Sequence, residues 1–116
     1  MNLHAHPVDV AATLLTRSDC RIQVAAVIVD RWGIFATGWN HMGADGFGCH
    51  AEAMALQRAN RSRLRGATLL VASQRKRNQK MVCSKPCEAC QELLRGRGLT
   101  VKYRDSDGVY RLLLLM

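Results

Sequence analysis

The sequence predicts a three-layer α/β/α fold, in which helices cover both faces of a mixed five-stranded sheet. Helix and strand patterns follow one another in the order α-β-β-α-β-α-β-β, which is typical of helices packed on a central sheet. Residues 22–29 and 67–73 are nearly continuous apolar runs, a pattern that favours strands buried on both faces. The last two strands are joined by a turn with no room for a crossover helix, so we expect an antiparallel last strand.

The first third of the chain predicts a helix and a β-hairpin. A helix is expected over 7–17, because Pro7 suits a first helical turn and the apolar residues that follow recur on one face. The strand over 22–29 leads into a turn in which Gly33 can adopt positive φ. A second strand over 34–39 is its simplest hairpin partner.

The middle of the chain predicts a loop, a helix and a strand. The loop over 40–49 contains three glycines, and the helix over 50–61 is rich in strong helix formers. The apolar strand over 67–73 is followed by a polar, basic loop or hairpin tip over 74–80. Residues 81–83 can also continue the strand structure.

The C-terminal part predicts a helix and two strands. Pro86 opens a helix that ends near Gly96. A strand over 100–104 is followed by a turn with an Asp-Gly signal, and the last strand covers 109–115.

Composition supports one globular domain spanning residues 1–116, because 48% of the residues are hydrophobic and 22% are charged. No stretch approaches the roughly 18 consecutive apolar residues of a membrane span. The N-terminus has no basic region followed by an apolar run, so we expect no secretory signal and a cytoplasmic protein.

The charge is strongly basic, with 17 Lys and Arg against 9 Asp and Glu. Residues 58–80 contain no acidic residue, and they hold Arg58, Arg61, Arg63, Arg65, Arg75, Lys76, Arg77 and Lys80. This stretch is either a solvated face or a surface that contacts phosphate or nucleic acid, with Arg75, Lys76 and Arg77 as the candidate contacts.

The chain has five cysteines, an odd number, which favours metal binding or catalysis over a disulfide framework. Cys87 and Cys90 are three residues apart and therefore share a helix face one turn apart. With His50 they form a three-ligand set that suits Zn²⁺ and leaves a fourth position for water. The alternative is a structural Cys₃His zinc site closed by Cys83, and Cys49 is expected to be a small buried hydrophobe.

Glu52 is two residues from His50 and therefore points to another side of the helix, where it can contact bound water instead of the metal. The two segments read His50-Ala51-Glu52 and Pro86-Cys87-Glu88-Ala89-Cys90. Together they match the H-x-E and P-C-x-x-C signature of zinc nucleobase deaminases.

The resemblance extends over residues 22–104 and identifies a small member of the cytidine/deoxycytidylate deaminase superfamily. It rests on further segments that read Ala25-Ala26-Val27-Ile28-Val29, Ala36-Thr37-Gly38-Trp39-Asn40 and His50-Ala51-Glu52-Ala53-Met54-Ala55-Leu56. The resemblance implies a cytidine-deaminase-like domain that assembles as a dimer or tetramer. It also implies the residue roles: His50, Cys87 and Cys90 as zinc ligands, Glu52 as proton shuttle, and Asn40, Ala25 and Ala51 as substrate contacts.

The implied reaction is zinc-dependent hydrolytic deamination of cytosine to uracil, in which zinc-bound hydroxide attacks C4 and Glu52 moves the protons. The expected substrate is a free pyrimidine nucleoside or nucleotide: cytidine, deoxycytidine or dCMP. The twelve residues from Gln74 to Lys85 depart from the family pattern, in which the third strand often runs directly into Pro-Cys.

Two other functions remain open at this point. The basic stretch also fits a deaminase that acts on cytosine or adenosine within single-stranded DNA or RNA. A third interpretation is a non-catalytic zinc module that binds nucleic acid, and it leaves Glu52 without a role.

Overall fold

The computed structural model of the chain describes residues 6–42 and 48–115. In chain order, its elements are α1 (Pro7–Leu14), β1 (Ile22–Asp30), β2 (Gly33–Trp39), β3 (His41–Met42), β4 (Gly48–Cys49), α2 (Ala51–Arg58), β5 (Thr68–Arg75), α3 (Glu88–Leu94), β6 (Thr100–Arg104) and β7 (Tyr110–Leu113).

The sheet is mixed and five-stranded, as the sequence predicts. Its strand order is β2-β1-β5-β6-β7. Among the strand pairs of the described residues, β5 and β6 are parallel and the others are antiparallel. The prediction that β6 and β7 run antiparallel is confirmed. The sheet places the start of β1 beside the end of β5, with Ile22 opposite Arg75.

Helices cover both faces of the sheet, which confirms the three-layer arrangement. On one face, α1 packs through Ala11 and Leu14 against Ala25 and Val27 of β1. On the other face, the alternate residues Ala26 and Ile28 join α2, α3 and Val101 in a second apolar cluster. The faces separate because successive side chains of a strand point to opposite sides of the sheet.

Gly38 allows α2 to lie unusually close to β2. A Cβ atom at this position would lie 2.3 Å from the Ala51 carbonyl oxygen and 2.6 Å from the Ala55 nitrogen. Both neighbours are backbone atoms of a packed helix, so they cannot give way as a flexible side chain would. The glycine therefore fixes the depth at which α2 sits on the sheet.

Both central helices differ from the predicted bounds. The segment predicted as one helix over 50–61 is the helix α2 followed by a separate 3-10 turn over Arg61–Arg63. The last predicted helix begins at Glu88 instead of Pro86, because Cys87 has extended backbone angles and serves as the N-cap.

The strands also differ in length from the prediction. β5 continues to Arg75, because its last residues pair with the start of β1, and Gln74 forms a bridge with Met81. β7 is shorter than the predicted 109–115, because pairing with β6 extends only from Tyr110 to Leu113. The predicted loop over 40–49 contains the β3 and β4 pair around residues that lie outside the described part. Within 6–42 and 48–115, none of the helices has the length and apolar character needed to cross a bilayer.

Candidate active site

Three side chains that could hold a metal ion converge where α2 and α3 begin. His50 is the N-cap of α2, and its Nδ1 atom lies 3.0 Å from the Cys90 Sγ and 3.6 Å from the Cys87 Sγ. The candidate ligand atoms of these residues all lie within 4.8 Å of one another. The structure therefore brings together the three residues that the sequence predicts as ligands, from two helices far apart in the chain.

The start of α3 presents its two cysteines at different depths. Cys87 is exposed at the N-cap, and its carbonyl oxygen accepts the first helical hydrogen bond from the Gln91 N–H at 2.9 Å. Cys90 lies one turn later and is 4% exposed. The Gln91 side chain also donates to the Pro86 carbonyl oxygen at 2.8 Å, which holds the preceding residue against the helix.

Ser84 fastens the segment before α3 to the sheet. Its buried hydroxyl lies 2.8 Å from the Val71 carbonyl oxygen and accepts from the Arg104 N–H at 2.8 Å. The Ser84 N–H donates to the Arg104 carbonyl oxygen at 2.9 Å. These contacts fix the chain three residues before Cys87, and no sequence signal distinguishes Ser84 from an ordinary loop serine.

The donor set fits zinc. One imidazole nitrogen and two cysteine sulfurs are the kinds of ligand that the borderline-soft Zn²⁺ ion prefers. Among the described residues Cys83 is not part of this group, so a closed Cys₃His shell is not formed. The expected burial of Cys49 concerns a side chain that lies outside the described part of the structure. A group of three protein ligands leaves the fourth tetrahedral position for water or substrate.

Glu52 places a carboxyl group beside Cys90. Its side chain is 4% exposed, and burial raises the pKa of the Glu52 carboxyl above its ordinary value. Burial, and then the Glu52 charge, raise the pKa of the Cys90 thiol as well. A cation held by these ligands would offset both penalties, because metal binding favours thiolate and carboxylate forms.

A cavity of about 220 Å³ opens in front of these groups. It is lined by Ile22, Val24, Asn40, His50, Ala51, Glu52, Ser73, Cys83, Ser84, Lys85, Pro86 and Cys87. The sequence indicated Asn40, Ala51 and the metal group, but not the strand residues Ile22, Val24 and Ser73. A carboxyl group and a metal-binding group on one cavity wall can activate water and move its protons.

Asn40 lines the cavity but also has a structural task. Its Oδ1 accepts from the Val24 N–H at 2.8 Å and from the Ser18 hydroxyl at 2.6 Å. Its Nδ2 donates to the Ile22 carbonyl oxygen at 2.8 Å. These hydrogen bonds anchor the start of β1. The second Nδ2 hydrogen remains available to donate to a ligand.

The prediction that Ala25 contacts the substrate is wrong. Its side chain is fully buried in the cluster that packs against α1, on the opposite face of the sheet. Val24, its neighbour in the chain, faces the cavity instead. Ala51 does line the cavity, as the first residue of α2, where the backbone N–H has no partner within the helix.

The basic cluster does not enter this cavity. Arg75, Lys76 and Arg77 line a separate cavity of about 750 Å³ together with Arg21 and Ile22. Ile22 lines both cavities. The sequence did not indicate Arg21, because the antiparallel pairing of β1 and β5 brings it beside residues more than fifty positions away.

Comparisons with known proteins agree with this geometry. A family model described as the cytidine and deoxycytidylate deaminase zinc-binding region matches residues 1–102. No curated protein matches the chain.

Several solved structures share the fold. A cytidine deaminase from Burkholderia pseudomallei is 22% identical, with a TM-score of 0.71, covering 97% of this chain and 92% of that one. The dCMP deaminase of cyanophage S-TIM5 in apo form is 25% identical, with a TM-score of 0.66, covering 85% of this chain and 79% of that one. The same phage enzyme in complex with dCMP and dUMP is also 25% identical, with a TM-score of 0.64, covering 88% of this chain and 85% of that one.

Proposed function

The chain belongs to the cytidine and deoxycytidylate deaminase family, and we propose that it converts cytosine to uracil by hydrolysis in a free cytidine-type nucleoside or nucleotide, releasing ammonia. The observation that carries the proposal is the buried carboxyl group of Glu52, set beside the His50, Cys87 and Cys90 group on the wall of one cavity. A structural metal site would not need a buried carboxylate that faces a cavity.

His50, Cys87 and Cys90 would hold the zinc ion. When bound, zinc supplies the Lewis acidity that makes water a nucleophile at neutral pH. The exposed positions of His50 and Cys87 leave the group accessible from solvent, while Cys90 anchors it from the buried side.

Glu52 would move the protons. Its carboxylate accepts one proton from the attacking water and passes it to N3 of the ring. It then accepts the second proton from the hydroxyl group on C4 and passes it to the amino nitrogen, which leaves as ammonia while the C4 carbonyl forms. A carboxyl group with a raised pKa suits this exchange, because it accepts a proton more readily than an ordinary carboxylate does.

Two further groups of the cavity would hold the base and sugar. The Ala51 N–H lies at the start of α2 and would donate to the edge of the base. The remaining Nδ2 hydrogen of Asn40 would donate to the sugar. The phage dCMP deaminase in complex with dCMP and dUMP supports a pyrimidine nucleoside or nucleotide as the ligand.

The test is a side-by-side conversion assay on the zinc-loaded protein. Cytidine, deoxycytidine, dCMP and a single-stranded oligonucleotide with one cytosine are offered separately, and uracil formation is measured. We expect conversion of at least one monomer and a loss of about 10²–10⁴-fold for Glu52→Gln, the range that general acid–base groups contribute.

The matched control is Glu92→Gln, which makes the same chemical change at an exposed carboxylate of α3. It should retain the wild-type rate. Conversion of the oligonucleotide alone, or no conversion that depends on Glu52, would refute the proposal.

A further inference from the structure

A basic groove adjoins the catalytic cavity and has no role in the proposed chemistry. We use this name for the cavity of about 750 Å³ lined by Arg21, Ile22, Arg75, Lys76 and Arg77. The Ile22 side chain is 42% exposed and lines both spaces, so it forms their common rim. A molecule that leaves the catalytic cavity across Ile22 enters the groove.

Backbone hydrogen bonds hold the segments that carry the cationic side chains of the groove. The Lys76 N–H donates to the Arg21 carbonyl oxygen at 2.9 Å, which joins the two sides of the groove. The Arg75 N–H donates to the Lys80 carbonyl oxygen at 2.9 Å, and this bond closes the turn after β5. Because the backbone is fixed, a ligand need not order the loop before it binds the side chains.

The charge of the groove is uncompensated. Four of its five lining residues are cationic and none is acidic. In the part of the chain that the structure describes, the salt bridges involve Arg63, Arg95 and Arg111, and none involves a groove residue. Grouped cations without acidic partners attract an anionic ligand, and several of them match a ligand with more than one phosphate.

The size of the catalytic cavity indicates where such phosphates belong. At about 220 Å³ it is smaller than the roughly 300–1,000 Å³ of sites that enclose a whole small ligand. It can therefore enclose the pyrimidine ring and the side of the sugar that Asn40 contacts, while the phosphates of a nucleotide extend beyond the rim.

We infer that the basic groove binds the phosphate chain of the substrate, so that the protein prefers cytosine nucleoside diphosphates and triphosphates over the nucleoside. The inference rests on the proposed deaminase function, which supplies the position of the base. It assigns to Arg21, Arg75, Lys76 and Arg77 the selection of phosphorylated substrates.

The first test compares kcat/KM for cytidine, CMP, CDP and CTP, and for their deoxy forms. In the wild type, the ratio of the triphosphate value to the nucleoside value should be at least about tenfold. The double variant Arg75→Gln/Arg77→Gln should lower this ratio by about tenfold or more. Raising the ionic strength should weaken the wild-type preference.

The matched control is Arg31→Gln/Arg61→Gln, which removes two exposed cations outside both cavities. Arg31 follows the opposite end of β1, and Arg61 opens the 3-10 turn after α2. This control should keep the wild-type ratio. Equal loss in both double variants, no preference for phosphates in the wild type, or faster conversion of a single-stranded oligonucleotide than of any nucleotide would overturn the inference.

A binding measurement separates this inference from the proposed function. Titration calorimetry with inorganic tripolyphosphate should show binding to the wild type and to the Arg31/Arg61 control, and none to the Arg75/Arg77 variant. Tripolyphosphate binding without deamination of any substrate would refute the proposed function and leave the phosphate site standing. Deamination without tripolyphosphate binding would refute the phosphate site alone.

Discussion

The two ends of β1 lie beside carboxyl groups whose pKa values shift in opposite directions. At the end that begins with Ile22, Glu52 lies against Cys90, and burial raises the pKa of both groups. At the end that finishes with Asp30, the Arg63 guanidinium donates two hydrogen bonds to the carboxylate at 2.7 and 2.8 Å. That hydrogen bonding lowers the pKa of Asp30 below its usual value.

The Asp30 charge stabilises the fold, whereas the Glu52 charge destabilises it and serves the proposed function. The Asp30 charge is favoured in the folded chain, and the stacking of Arg63 on the Phe35 ring, 4.2 Å from its centroid, adds to the same contact. The Glu52 charge is disfavoured in the folded chain until a cation is bound. Groups that weaken the fold in this way are expected at functional sites, where activity requires them.

The largest expected effect is loss of Cys87, one of the three proposed metal ligands. Cys87→Ser should remove bound zinc and lower activity by about a thousandfold or more, since Lewis-acid activation supplies several kcal/mol to hydrolysis. The fold should persist, because Cys87 is exposed. Mass spectrometry measures the zinc content, and circular dichroism shows whether the fold persists.

Cys83→Ser is the matched control, because Cys83 lines the cavity but lies outside the ligand group. It should retain one zinc per chain. Zinc retained by Cys87→Ser, or lost by Cys83→Ser, would contradict the three-ligand assignment.

The next effect concerns the close approach of α2 to β2. Gly38→Ala should push the start of α2 away from the sheet, because the added Cβ meets backbone atoms at 2.3 and 2.6 Å. A displacement of about 1 Å at His50 and Glu52 can cost on the order of 10²-fold in kcat/KM. Thr37→Ala, at the neighbouring position on the other face, should stay near the wild-type rate. A wild-type rate for Gly38→Ala would show that the site tolerates movement of α2.

The sequence was sufficient for the parts of the site that lie in short motifs. His50, Glu52, Cys87 and Cys90 are set by spacing within two helix starts, and helix geometry is local. Ala25 could not be placed in the same way. An apolar run such as that of β1 is buried on both faces, so its pattern does not tell which residues face the cavity.

Long-range pairing explains the other differences from the prediction. The groove depends on Arg21 meeting Lys76, and only the register of β1 with β5 brings them together. The length of β7 depends on where its pairing with β6 stops. The apolar residues of β7 continue beyond that point and do not reveal it. By contrast, the order of helices and strands along the chain was enough to predict the three layers, and the short turn before β7 was enough to predict the antiparallel last strand.

A smaller effect should appear in the stability of the metal-free protein. Glu52→Gln should raise Tm by several degrees at pH 7, because it removes a charge that burial disfavours. The folded pKa of Glu52 is raised, so the cost of ionising it appears as pH rises above the unfolded value of about 4.3. The stabilisation should therefore shrink at pH 4. Glu92→Gln should not raise Tm, and an equal gain at both pH values would contradict the argument.

The smallest expected effect is at the opposite end of the sheet. Asp30→Asn should lower Tm by a few degrees at pH 7, because it weakens the contact with Arg63, and should leave kcat/KM of the folded protein unchanged. The folded pKa of Asp30 is lowered, so its contribution is present above the unfolded value of about 3.9 and is lost as pH falls through the folded value. The Tm difference from the wild type should therefore disappear in strong acid. Asp107→Asn, in the exposed turn before β7, should not change Tm at either pH, and a loss of activity in Asp30→Asn would show that the two ends are coupled.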